Sequence, residues 1–210
     1  MIAYREEKIK NAIGYFASEY QKRTQRDIPQ TILYKMLAFF DFNVLKNTGK
    51  PALELEYMAM RNGPVPIRIY ENRKILYETD CFKFIQTGPQ NFVIKSKKEP
   101  NLDYFSEYEL KILEEIINRY GHRRIPQREL SKKICDDSHV EIKAWQTAWD
   151  IGENSIIDYD YVFDENPSSK PKSELTTVEN TYLIYKYFTE KTNADWWTIL
   201  MGWISLSQGR

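Results

Sequence analysis

The chain is short of the residue types that most enzyme sites are built from. Its 210 residues include only two cysteines and two histidines. Cys81 and Cys135 lie far apart, which excludes a disulfide framework and fits the reducing cytoplasm. Glycine numbers 8, and none of them forms a Gly-rich phosphate loop. Net charge is also missing. Thirty Lys and Arg balance 30 Asp and Glu, so the excess of basic charge typical of a general nucleic-acid binder is not there. No run reaches the roughly 18 apolar residues of a membrane helix. The opening residues, MIAYREEKIKNAIGYF, mix charge into their apolar positions. They read as an amphipathic helix and not as a signal peptide.

What is present is a globular composition rich in aromatics. Hydrophobic residues make up 42%, charged residues 29% and aromatics 14%, with 15 Tyr and 5 Trp. That length and composition suffice for one substantial core. The aromatics suit a core or a partner surface.

The stretch from Leu55 to Tyr70 organises the expected fold. At its centre is Asn62-Gly63-Pro64-Val65-Pro66. Gly63 tolerates positive φ, Pro64 fixes its own φ, and residues before proline avoid the α region. Pro66 fits a first helical turn. The expectation is a short extended segment, a rigid turn at Gly63-Pro64-Val65, then a helix from about Pro66. Upstream, Leu53, Leu55 and Tyr57 alternate with Glu54 and Glu56, as in a short strand.

Around this stretch the periodicity is helical. Ile9, Ala12, Ile13, Phe16 and Tyr20 predict a helix from about Glu6 to Gln21. Pro29 opens a second, with Leu33, Met36, Leu37 and Phe40 on one face and Lys35 expected in solvent. Ile67, Tyr70, Ile75 and Tyr77 suggest one or two further turns. Phe82 and Phe84, then Phe92 and Ile94, flank a Gly88-Pro89 turn and predict a β-hairpin over the helical core. Ser106-x-x-Glu109 has capping-box form before the stripe Leu110, Leu113, Ile116, Ile117 and Tyr120, with Gly121 as its stop. Pro126 begins another helix, with Leu130 and Ile134 inward.

Residues 166–173, rich in Pro and Ser, read as a linker. Thr176-x-x-Glu179 starts a last helix. Beyond it, Trp196 to Leu206 is the most apolar segment of the chain. The fold class is therefore mainly α with a small antiparallel β element. It consists of a helical domain over 1–165, the linker, and a C-terminal helical extension over 174–210, whose apolar end reads as a core helix packed on the domain, a partner-binding helix or a membrane-surface contact.

Two chemical readings are weighed. Cys135 and His139, four positions apart, place a thiol near an imidazole, but no further ligands or catalytic partners accompany them. Both are assigned to packing, with His139 hydrogen-bonding the backbone or Glu141 and positioning Trp145. The basic clusters at Lys22-Arg23 and at His122-Arg123-Arg124 fit helix ends better than a nucleic-acid surface.

Several segments resemble the Panacea domain of SocA-like antitoxins. Ala59 and Gly63-Pro64-Val65 match its Ala-Trp-x-x-Gly-Pro-Val core, with Met60 and Asn62 where the family more often has aromatics. Lys35 lies in the counterpart of its Leu-x-Lys-Leu-Leu-Tyr pattern. His139, Glu141 and Trp145 match Thr-His-x-Glu-x-x-x-Trp. The resemblance runs from about Lys8 to Phe163. It implies a cytoplasmic, non-catalytic antitoxin of a toxin–antitoxin system, in the setting of phage defence, which neutralises a protein toxin encoded nearby by direct binding. No metal, cofactor, small-molecule substrate, nucleic acid or membrane insertion is expected. The alternatives are a DNA-binding regulator of its own operon, an adaptor that delivers the toxin to a protease, and an enzyme using Cys135 and His139. Candidate partner-binding residues are Met60 and Asn62, together with Trp196, Trp197 and Trp203 in the segment beyond the resemblance.

Overall fold

A computed structural model of the chain describes residues 4–75 and 77–191. The chain runs through α1 (Arg5–Thr24), β1 (Ile28–Pro29), α2 (Gln30–Thr48), β2 (Tyr57–Met60), β3 (Gly63–Pro66) and α3 (Ile67–Asn72). It continues through β4 (Phe82–Gln86), β5 (Phe92–Ser96), α4 (Glu107–Tyr120), α5 (Gln127–Glu141), α6 (Lys143–Ile151) and β6 (Ile156–Ile157). A further helix, α7, covers residues 177–191. The expected class is the observed one: mainly helical with small antiparallel sheets.

The organising element is α2. Its residues 32–42, 44 and 45 are all buried, so it is covered on every side. Around it lie α1, α4, α5 and β3. The periodic faces read from sequence point inward as expected. Ile13, Phe16 and Tyr20 of α1 and Leu113 and Ile117 of α4 are sealed from solvent. The capping box on α4 forms in full, with Ser106 and Glu109 exchanging bonds.

Two three-stranded antiparallel sheets flank the helices, in the orders β1-β5-β4 and β3-β2-β6. The aromatic hairpin is β4–β5, closed by Gln86 opposite Phe92. Phe82, Phe84, Phe92 and Ile94 turn to the core as expected.

Four local expectations need correction. Gly63-Pro64-Val65 is a strand, not a turn. The turn is Arg61-Asn62, since Met60 pairs with Gly63. Two prolines fit in β3 because it is an edge strand. Opposite Pro64, Ala59 makes its backbone bonds on the other side, donating to Ser155 O and accepting from Asn154 N. Pro64 therefore costs the sheet no ladder bond.

The second correction lies just upstream. Leu53 and Leu55 are buried as the alternation implied, but Glu54 has φ of 56°, which breaks any strand. The backbone instead wraps a carboxylate. Asp41 of α2, fully buried, accepts from the N–H groups of Leu53 (2.7 Å), Glu54 (3.2 Å) and Leu55 (3.1 Å). The Tyr57 and Tyr159 hydroxyls also donate to it, each at 3.2 Å. Third, Ile75 lies past the end of α3 and is 77% exposed. Fourth, Lys35 is not in solvent but 1% exposed, because α2 has no solvent face at that level.

The C-terminal region continues this packing. Residues 166–173 contain the 3₁₀ turn Pro167–Ser169 and the start of a second, Lys172–Glu174, and Pro167 is buried. On α7, Tyr182 and Tyr185 bury against Leu45 of α2. Their hydroxyls donate to Asp160 and Glu54, both at 2.5 Å. Trp196, Trp197 and Trp203 lie outside the described residues.

Candidate functional site

The residues singled out in sequence from five separate elements meet around Gly63. Helix α2 brings Lys35, β2 and β3 bring Ala59, Met60, Gly63, Pro64 and Val65, α5 brings His139 and α6 brings Trp145. Gly63 has φ of 101°, a conformation that side chains strongly disfavour. A Cβ there would lie 2.5 Å from Ser138 Oγ, 3.0 Å from Lys35 Cε and 3.6 Å from His139 Cδ2. The missing side chain is what lets α2 and α5 close over the strand.

Above Gly63 the rings are stacked. His139 lies on Trp145 with centroids 4.0 Å apart and planes 8° from parallel, and Trp149 continues the stack at 5.5 Å. The Trp145 indole donates to Met60 O at 3.1 Å, which pins α6 to the β2–β3 turn. His139 contacts Trp145 by stacking. Glu141 is not its partner. It forms an ion pair with Arg119 of α4, at 2.5 Å.

Two polar side chains of this cluster, Lys35 and His139, have no hydrogen-bond partner among the described residues. Among the described residues, no oxygen accepts from the Lys35 ammonium. His139 Nε2 is buried and has no hydrogen-bond partner. The Ser138 hydroxyl is already used, donating to Cys135 O at 2.7 Å. Burial pushes the Lys35 amine down to about 8. Burial, and then the nearby Lys35 charge, lowers His139. Burial raises the Cys135 thiol, with Lys35 pulling the other way. A thiol whose ionisation is opposed by burial is not an activated nucleophile. Among the described residues, no group of three or more His, Cys, Asp or Glu side chains could hold a metal.

Elsewhere the surface is largely self-satisfied. Lys22 pairs with Glu19 and Glu99, Arg23 with Glu19, and Arg26 donates to the carbonyls of Arg123 and Ile125. The basic residues of the first cluster are thus tied to the protein itself. A cavity of about 930 Å³ opens between the start of α1, the 54–56 segment and α7. Two of the acids on its rim are engaged, Glu6 with Arg68 at 2.6 Å and Glu54 with Tyr185. No helix among the described residues is long and apolar enough to cross a membrane.

Sequence reasoning missed Asp41 and Ser138. A lone Asp inside an apolar helical stripe was the available signal for the first. Ser138, beside His139, gave none, because its importance comes from the approach of β3.

Residues 33–146 match the family described as antitoxin SocA-like, Panacea domain. That span begins on α2 and ends within α6, so it encloses the whole cluster around Gly63. No curated protein and no solved structure matches the chain.

Proposed function

The chain belongs to the SocA-like antitoxin family with a Panacea domain, and from that premise we propose that it neutralises a protein toxin by binding it directly, without catalysis. The family match is the observation that carries this reading. The chemistry of the Gly63 cluster is compatible with it, since burial opposes ionisation of the Cys135 thiol.

The interface we propose has two parts. One is the exposed turn after Met60, formed by Arg61 and Asn62 and backed by the Trp145 bond to Met60 O. The other is the C-terminal segment with Trp196, Trp197 and Trp203, tryptophan being enriched in binding hot spots. Cytoplasmic location and a role in phage defence belong to the same proposal.

The test is co-expression with the product of the adjacent reading frame. Growth rescue, together with a complex that co-elutes in size-exclusion chromatography, is the expected result. Rescue without a complex would favour delivery to a protease. Rescue through repression alone, read by a promoter fusion, would favour the DNA-binding alternative.

A further inference from the structure

Lys35 and His139 present an unusual pairing of groups. Neither nitrogen has a hydrogen-bond partner among the described residues, and both side chains close on the same point. Lys35 Cε, one bond from the ammonium, and His139 Cδ2, one bond from Nε2, both flank Gly63. A buried ammonium with no acceptor is costly, and so is a buried ring nitrogen with none. Among the described residues, none supplies an acceptor for either. Ser138 donates elsewhere. The charged group that acts on His139 in the opposite sense is Asp136, which is exposed and pairs with Lys132 at 3.8 Å.

A third cation stands at the rim. Arg61, on the exposed turn next to Gly63, has no hydrogen-bonded or ion-pair partner among the described residues. The cluster lies just below that surface, since His139 is only partly buried. Donors and positive charge therefore converge where an acceptor is lacking. We propose that this cluster is a binding site for a single carboxylate, held between the Lys35 ammonium and His139 Nε2, with Arg61 at its entrance.

A carboxylate fits these groups. Its two oxygens can accept from two donors at once, and its charge offsets the ammonium. Both nitrogens then gain the acceptor that the fold withholds. The source is either a small free acid or an acidic side chain of a bound protein. The inference goes beyond toxin neutralisation and stands whether or not that reading holds.

The experiment follows the lysine and histidine side-chain signals by NMR in the full chain, in carboxylate-free buffer near neutral pH. Sodium acetate is added up to about 0.1 M, replacing sodium chloride at constant ionic strength. The expected result is a saturable change confined to Lys35 and His139, with both titration midpoints moving up by about half a pH unit or more. The Lys35→Met protein should lose the His139 response, and His139→Gln should weaken the Lys35 response. A parallel titration uses the blocked tripeptide acetyl-Ala-Asp-Ala-amide. Response to both probes assigns the site to acidic side chains as well, and response to acetate alone assigns it to small free acids. No saturable change at Lys35 and His139, or an undiminished His139 response in Lys35→Met, overturns the proposal. If a variant does not fold, the wild-type titration alone decides.

Discussion

Lys35 gives the fold its most specific pH signature. Its amine is pushed down to about 8 by burial, whereas an unfolded lysine titrates near 10.4. Between these values the unfolded chain holds a proton that the folded chain has shed. Stability should therefore climb as pH rises through that window, and the full burial cost stands below it. The window corresponds to about 3 kcal/mol. Urea midpoints measured from neutral to alkaline pH should show the climb. In Lys35→Met it should disappear, and stability at neutral pH should rise, since a buried ammonium is exchanged for an apolar chain of similar length. An identical pH profile in wild type and variant would contradict an unpaired Lys35. At Gly63, substitution by valine should cost more than about 1 kcal/mol, because both the positive φ and the contact with Ser138 oppose it. Unchanged melting would remove Gly63 from its central place. The importance of Gly63 was legible in sequence, but its reason was not. The glycine is needed for the approach of α5, which comes from far along the chain.

Among the elements, the segment 53–57 depends on Asp41 more than on any sheet partner. Three N–H groups and two hydroxyls converge on one carboxylate. Asp41→Asn would turn an NH₂ group toward donors that need an acceptor. Denaturant unfolding should show a loss of about 2 kcal/mol or more, far above the effect of an exposed Asp→Asn change. An unaffected midpoint would mean that the carboxylate does not hold this segment. Helices α1 and α4 were legible because each follows one apolar stripe, and α4 also carries local start and stop signals in Ser106 and Gly121. The aromatic hairpin was legible for a similar reason. Segment 53–57 was not. Its alternation reports burial correctly, but Asp41 satisfies its backbone from another element, and no local pattern encodes that. The orientation of Lys35 was hidden in the same way, because α2 is enclosed by parts of the chain still to come.

At the scale of the molecule, the division between domain and extension has a consequence for truncation. Removing everything after Pro171 deletes Tyr182 and Tyr185, which cover Leu45 and bond Asp160 and Glu54. That protein should melt well below wild type, by several degrees or more, with losses of about 3 kcal/mol typical for a deleted buried aromatic. A melting temperature equal to wild type would make the tyrosine contacts dispensable. A stop after Lys191 keeps them and removes Trp196, Trp197 and Trp203. It should preserve the circular dichroism of the folded domain and abolish rescue of growth. Full rescue by that folded protein would place the interface at Arg61-Asn62 alone.

The contact between Leu45 and the α7 tyrosines also sets a clock. Ribosomes add about 5–20 residues per second, so the two sides of this contact leave synthesis on the order of ten seconds apart. Through that interval α2 can already be helical, yet Leu45 faces water where two aromatic rings will later lie. This seam of the core therefore closes only once Tyr182 and Tyr185 have been made. A newborn chain stalled before Tyr182 would carry an open flank, and proteases of the cell would meet it there first.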